Sequence, residues 1–364
     1  MINVTKTYLG DLDKFKRYVE QIYATGWLTN HGPFSIELEE RLQDFLGVRN
    51  VIVTCNGTIA LQVAYRALGV TGSAVTTPFS FVATSSTLEW EHIRPRFADI
   101  DAKTWNLDPQ LIEASLAPDT TAIVATHVFG NPCAVEEIQA VAQRNRLKVI
   151  YDGAHAFGSR YRDRSVLAWG DLSTLSFHAT KLFHTIEGGA IVTSDDEIAK
   201  QIRLLCNFGI AGVDKIVGPG INAKMNEFSA AMGLCLLDDI DSILSQREEI
   251  AARYNAALGD YYDLQSLQPG GRQNNSYYPI GLRNEAQLLR VRSGLNAIGV
   301  NPRRYFYPSL DTLDYLAPQQ PQAISRELSQ RILCLPIYPG LPQDVQHAVI
   351  EVLQMEAGRV AVAV

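Results

Sequence analysis

No CxxC pair occurs in this chain of 364 residues, and its five cysteines (55, 133, 206, 235 and 334) are scattered and odd in number. That spacing points to neither a zinc site nor a disulfide framework, and reduced thiols in a cytoplasm are expected. No metal is expected either. No apolar run approaches the roughly 18 residues of a membrane span. The opening Met1-Ile-Asn-Val-Thr-Lys lacks a basic stretch leading into an apolar one, so it does not read as a signal peptide. Positive charge is in short supply. Thirty-two Lys and Arg stand against 39 Asp and Glu, and the net charge of −7 argues against nucleic acid as a partner. Repeats, low-complexity tracts and long linkers are absent as well.

What is present is an alternation. Short β-branched runs recur at Val51–Thr54, Ala74–Thr77, Arg96–Ala98, Ala122–Thr126, Lys148–Tyr151, Thr174–Phe177 and Ala190–Thr193, with helical stretches between them. Seven such strands predict an α/β fold around a mostly parallel seven-stranded sheet. Ahead of them, Leu12–Thr25 and Phe34–Leu46 read as helices, the second stopped at Gly47. Residues 225–258 read as a long helix or a helix pair. Ser276–Ile280, Glu285–Ile298 and Leu333–Ile337 suggest a smaller C-terminal α+β domain. We place the division at 1–245, a large domain with an N-terminal arm, and 246–364.

The segment Leu175-Ser-Phe-His-Ala-Thr-Lys181-Leu-Phe-His-Thr-Ile-Glu187-Gly-Gly-Ala190 carries the most chemistry. A lysine after an apolar strand, beside Glu-Gly-Gly, is poorly placed for a solvated charge. It suits a Schiff base with pyridoxal phosphate, because a desolvated lysine deprotonates readily. Upstream, Asp152 ends the apolar run Val149-Ile-Tyr151. A carboxylate there needs a partner, and a protonated pyridine nitrogen would serve, turning the ring into an electron sink. His155 has two readings, a core histidine or a hydrogen bond to the cofactor's ring hydroxyl.

In parallel sheets ligands sit at the carboxyl ends of strands. Asn56-Gly57-Thr58 reads as a strand end opening a helix, where free N–H groups and a hydroxyl hold phosphate. Ser176, five residues before the lysine, offers a second hydroxyl or is a plain strand residue. Phe81 is most simply a core aromatic; the alternative is a flat surface under the cofactor ring. Asn222 opens a long helix as a cap or reaches the site. Arg303, Arg304, Tyr305 and Tyr307 form either a solvated loop or a grip on an anionic, planar substrate portion such as a nucleotide diphosphate.

Taken jointly, these motifs resemble the DegT/DnrJ/EryC1/StrS sugar aminotransferases, which are fold-type-I pyridoxal phosphate enzymes. The likeness runs over nearly the whole chain: Gly26-Trp-Leu-Thr, Asn56-Gly-Thr, Pro78-Phe-Ser-Phe-Val-Ala-Thr, Asp99–Asp108, His127-Val-Phe-Gly130, Asp152-Gly-Ala-His-Ala, Ser176-Phe-His-Ala-Thr-Lys181, Glu187-Gly-Gly and Asn222-Ala-Lys-Met. The resemblance implies a homodimer with shared active sites, in which Asn222 reaches the partner's cofactor phosphate. It implies L-glutamate as amino donor and a nucleotide-linked ketosugar as acceptor.

Three positions depart from the common pattern. His155 stands where many members carry glutamine, Lys224 replaces a frequent arginine, and Leu182 follows the lysine where asparagine is common. A dehydrating branch replaces the lysine with histidine, and Lys181 argues against it. Members acting at C-3 more often have tyrosine at the position of His178. The chain is more similar to members that aminate C-4 of dTDP-4-keto-6-deoxy-D-glucose, a route to O-antigen and other surface polysaccharides. C-3 amination, a lyase outcome and a non-catalytic cofactor- or sugar-binding regulator are the alternatives.

Overall fold

Seven strands form the central sheet of the computed structural model, which describes residues 1–317 and 320–361, the last three of these by backbone alone. Residues 318–319 and 362–364, which belong to the expected 246–364 unit, lie outside the described residues. The strands are β1 (Asn50–Thr54), β2 (Ser73–Thr76), β3 (Arg94–Phe97), β4 (Thr120–Thr126), β5 (Lys148–Asp152), β6 (Leu172–Ser176) and β7 (Gly189–Thr193), in spatial order β1-β7-β6-β5-β4-β2-β3. Each falls within two residues of a β-branched run read from the sequence.

All strands run parallel except β7, which is antiparallel to β6 and β1. The reason is local. Between β6 and β7 the chain has no helix to carry it back across the sheet, so it turns at the carboxyl edge and returns beside β6. The loop 177–188 thereby hangs over that edge with both ends fixed.

The sheet is buried on both faces. Val51, Val53, Val75, Ile123, Val149 and Tyr151 face one apolar cluster, and Ile52, Ala74, Val124 and Ile150 face the other, as period-2 alternation requires. The helix Leu12–Thr25 is capped by Asp11, whose carboxylate accepts from the N–H groups of Asp13 and Lys14. Pro33–Leu46 begins one residue earlier than expected, because proline at the first helical position needs no N–H partner. It ends at Gly47 in the left-handed region (φ 64°).

Residues 225–258 are a helix pair, Glu227–Asp238 and Ile240–Leu258, broken at Asp239. The second helix shares an apolar cluster with Glu285–Ala297, the C-terminal helix Gln343–Ala361 and a three-stranded antiparallel sheet. In that sheet Tyr278–Gly281 lies between Asp263–Leu264 and Ile332–Leu335. The N-terminal strand Ile2–Asn3 pairs in parallel with Val300–Asn301, so the arm packs on this C-terminal layer. Among the described residues no helix is long and apolar enough to cross a membrane.

Candidate active site

At the carboxyl edge of the sheet lies a cavity of about 280 Å³. It brings together Gly57, Thr58, Phe81, Asp152, His155, Ser176, His178, Lys181, Arg303 and Tyr305. These span almost 250 positions of sequence, and each arrives from a strand end, a helix start or the C-terminal layer.

Lys181 sits on the loop after β6. Phe177 closes that loop by donating to Gly188 O (2.8 Å) and accepting from the Thr185 N–H (2.9 Å). Below it, Phe183 stacks on Phe157 at 4.4 Å and meets Phe177 edge-on at 4.9 Å. This apolar anchor holds the lysine's backbone while its half-buried side chain faces the cavity. Burial draws its pKa down from 10.5; the Asp152 carboxylate opposes this and the Arg303 guanidinium adds to it, leaving it at about 8.

Asp152, the last residue of the central strand β5, is 5% exposed. It accepts from Thr84 Oγ1 at 2.8 Å and from the Ala154 N–H at 3.0 Å. Thr84 Oγ1 lies 2.7 Å from Ser80 Oγ, which lies 3.0 Å from Thr126 Oγ1. The carboxylate is thus oriented by a chain of hydroxyls and keeps acceptor capacity in hand.

His155 is 4% exposed, and its Nδ1 has no hydrogen-bond partner. Its ring is near-parallel to those of Phe129 (6.1 Å) and Phe306 (5.7 Å). Burial first, then the charges of Lys181 and Arg303, push its pKa well below 6.5, so the imidazole is neutral.

The helix Gly57–Ala67 starts where β1 ends. Asn56 caps it by accepting from the Ile59 N–H at 2.8 Å, and the first-turn amides of Gly57 and Thr58 have no intrahelical acceptor. Gly57 is required by proximity, since a Cβ there would lie 2.9 Å from the Ser176 Cβ. Two hydroxyls and a helix N-terminus therefore converge on one end of the cavity.

The structure separates several readings that the sequence left open. Phe81 is not a core aromatic: it is 46% exposed, and Phe79 (0%) fills the core instead. Its ring meets Tyr305 at 6.0 Å on the cavity wall. The Arg303–Tyr307 cluster divides. Arg303 lies 4.2 Å over Tyr305 and lines the cavity. Arg304 points elsewhere, bonded to Glu285 (2.8 Å) and Gln330 O (3.0 Å) and lying 3.6 Å over Tyr307.

Asn222 is not with the others. It is exposed and lines a second, larger cavity of about 820 Å³ with Arg203 and Lys224. His178 Nδ1 is 2.8 Å from Thr180 Oγ1, and its Nε2 is 3.5 Å from Glu187.

Tyr277, Thr84 and Thr180 were not singled out in the sequence, and Glu187 entered only as part of the Glu-Gly-Gly beside the lysine. Thr84 lies in the Pro78–Thr84 run, and Tyr277 in the Ser276–Ile280 run, so each sat inside a noticed segment without a chemical signal of its own. No group of three or more His, Cys, Asp or Glu is placed for a metal among the described residues.

These residues fit pyridoxal phosphate: an amine of lowered pKa, a buried carboxylate with spare acceptor capacity, an unpartnered imidazole nitrogen, and a phosphate-sized set of donors at a helix start. Fold and site together are those of a pyridoxal-phosphate-dependent aminotransferase. The chain matches the DegT/DnrJ/EryC1/StrS aminotransferase family over residues 11–354 and belongs to it. It is 41% identical to a dTDP-4-amino-4,6-dideoxy-D-glucose transaminase of Shigella dysenteriae, over 97% of this chain and 98% of that one. A protein of the same description from Escherichia coli is 38% identical over 97% and 98%. Among solved structures, DesI, crystallised in the presence of its TDP-sugar product, superposes with a TM-score of 0.93 at 34% identity, covering 100% of this chain and 95% of that one.

Proposed function

We propose that the protein transfers an amino group from L-glutamate to C-4 of dTDP-4-keto-6-deoxy-D-glucose, giving a dTDP-4-amino-4,6-dideoxy sugar. The observation that carries this is the convergence of Lys181, Asp152 and His155 in one cavity, in a chain 41% identical to a transaminase of that sugar.

Pyridoxal phosphate, when bound, supplies a carbonyl that captures the amine and a ring that takes up the charge released at carbon. Lys181 would hold that carbonyl and, as a free amine, would serve as the general acid and base that moves the substrate proton. With its pKa lowered to about 8, roughly a tenth of the amine is free near pH 7, far more than for an ordinary lysine. Asp152 would keep the ring nitrogen protonated, and its low exposure would strengthen that pairing. His155, neutral and lining the cavity, would hold the ring hydroxyl. The Gly57 and Thr58 amides with the Thr58 and Ser176 hydroxyls would hold the phosphate. Phe81 would give the ring a flat face, and His178, Arg303 and Tyr305 would contact the substrate.

The active unit is a homodimer, and Asn222, which lines the other cavity, serves the partner's phosphate. The enzyme works in the cytoplasm, on residues 1–245 as cofactor domain and 246–364 as the smaller one. Product analysis tests the acceptor. Incubation with L-glutamate and either the 4-keto or the 3-keto dTDP sugar, followed by NMR, should place nitrogen on C-4. Turnover confined to the 3-keto sugar refutes the proposal.

A further inference from the structure

Arg247, on the helix Ile240–Leu258, is 2% exposed and has no carboxylate partner among the described residues. A buried guanidinium without a counter-ion is costly, so what it holds matters. Its Nη1 donates to two consecutive carbonyls, Asn275 O at 3.1 Å and Ser276 O at 3.2 Å. Asn275 adopts the left-handed region (φ 51°), which asparagine tolerates, and this turn brings both carbonyls to one side.

The same short segment grips the active site from its other side. Asn274 Nδ2 donates to His155 O and to Phe157 O, each at 2.8 Å. Ser276 Oγ donates to His155 O at 2.7 Å, and the Ser276 N–H closes the segment on Asn274 Oδ1 at 2.9 Å. The next residue, Tyr277, lines the cavity with its ring 4.7 Å from that of His155. Two side chains thus converge on a single backbone carbonyl, that of the buried histidine facing the cofactor site. An apolar side chain at 247 would leave the carbonyls of 275 and 276 unpaired in the interior.

We infer that Arg247 is a positioning residue: it fixes the strap Asn274–Tyr277, and through it sets His155 and Tyr277 against the cofactor ring. This rests on the proposed seating of the cofactor beside His155. The helix bearing Arg247 and the strand following the strap both pack in the C-terminal layer, so the strap couples that layer to the ring contact.

The test uses the reconstituted enzyme and variants Arg247→Gln, Arg247→Lys and Ser276→Ala. Three quantities are read: the apparent Kd for pyridoxal phosphate, the visible circular dichroism of the bound cofactor, and Tm. Arg247→Gln should raise Kd roughly tenfold and diminish the visible dichroism, with Arg247→Lys recovering part of both. Ser276→Ala removes one donor to His155 O and leaves Arg247 in place; it should move both readouts the same way, by roughly threefold in Kd. A merely structural arginine would lower Tm and leave Kd and dichroism unchanged, and that result overturns the inference. If Arg247→Gln does not fold, Ser276→Ala decides alone: unchanged Kd and dichroism refute it. A wild-type protein without any cofactor band contradicts the function proposed above, whereas a normal band with unmoved variants contradicts only the role of Arg247.

Discussion

Replacing the central lysine should stabilise the protein when the cofactor is removed. Lys181 has a pKa of about 8 in the fold against 10.5 ordinarily. Below about pH 8 the folded and unfolded chains both carry the proton, and the folded chain bears the cost of a desolvated ammonium. Between about 8 and 10.5 the unfolded chain binds more protons, so stability rises with pH through that window and levels off above it. The shift corresponds to roughly 3 kcal/mol. Discounting for the solvent that reaches a half-buried side chain leaves roughly 1–3 kcal/mol. Methionine fills similar space without charge. Apo Lys181→Met should therefore resist urea better than apo wild type near pH 7 by about that amount, and the gap should close near pH 10. Urea midpoints of the two apoproteins at both pH values make the comparison. A variant no more stable than wild type near pH 7, or a gap independent of pH, refutes the reasoning.

Three further outcomes follow from the geometry. Asp152→Asn keeps the hydrogen bonds to Thr84 and Ala154 within reach but removes the charge opposite the ring nitrogen, so kcat should fall roughly 10²- to 10³-fold while the protein stays folded and binds cofactor. Steady-state rates beside a cofactor titration check this. Gly57→Ala places a Cβ 2.9 Å from the Ser176 Cβ and should weaken cofactor binding, read as a raised Kd with the far-ultraviolet spectrum unchanged. Glu227 is fully buried and accepts from the Phe34 and Ser35 N–H groups and the Ser35 hydroxyl at the start of Pro33–Leu46. Glu227→Ala should cost about 2–4 kcal/mol in urea unfolding, because it strips the helix N-terminus of its carboxylate in the interior.

Local chemistry was legible wherever a residue announced itself by its neighbours. The seven β-branched runs became seven strands because doubly covered parallel strands are apolar on both faces and stand out as short continuous runs. Lys181 and Asp152 were visible as charges in apolar company, and the cavity holds both. Strand order was not legible, nor was the reversal of β7, which depends on the loop 177–188 lacking a crossover helix. Tyr277 and Thr84 act through contacts that cross more than 60 positions of sequence, and no periodicity encodes such contacts. Arg304 and Tyr307 looked equivalent to Arg303 and Tyr305 in sequence. They differ because backbone pairing of Arg303 with Cys334 sets which residues of the run face the cavity. Asn222 lines the other cavity of its chain, a separation that nothing in its local sequence encodes.

The central claim is that Lys181 and its neighbours run a two-stage amino transfer. Its most direct test is the visible absorbance of the holoenzyme, recorded before and after L-glutamate and then after dTDP-4-keto-6-deoxy-D-glucose. The visible band should bleach with glutamate, return with the ketosugar, and do neither in Lys181→Ala. A band that ignores glutamate, or a full cycle in the variant lacking the lysine, would contradict the account.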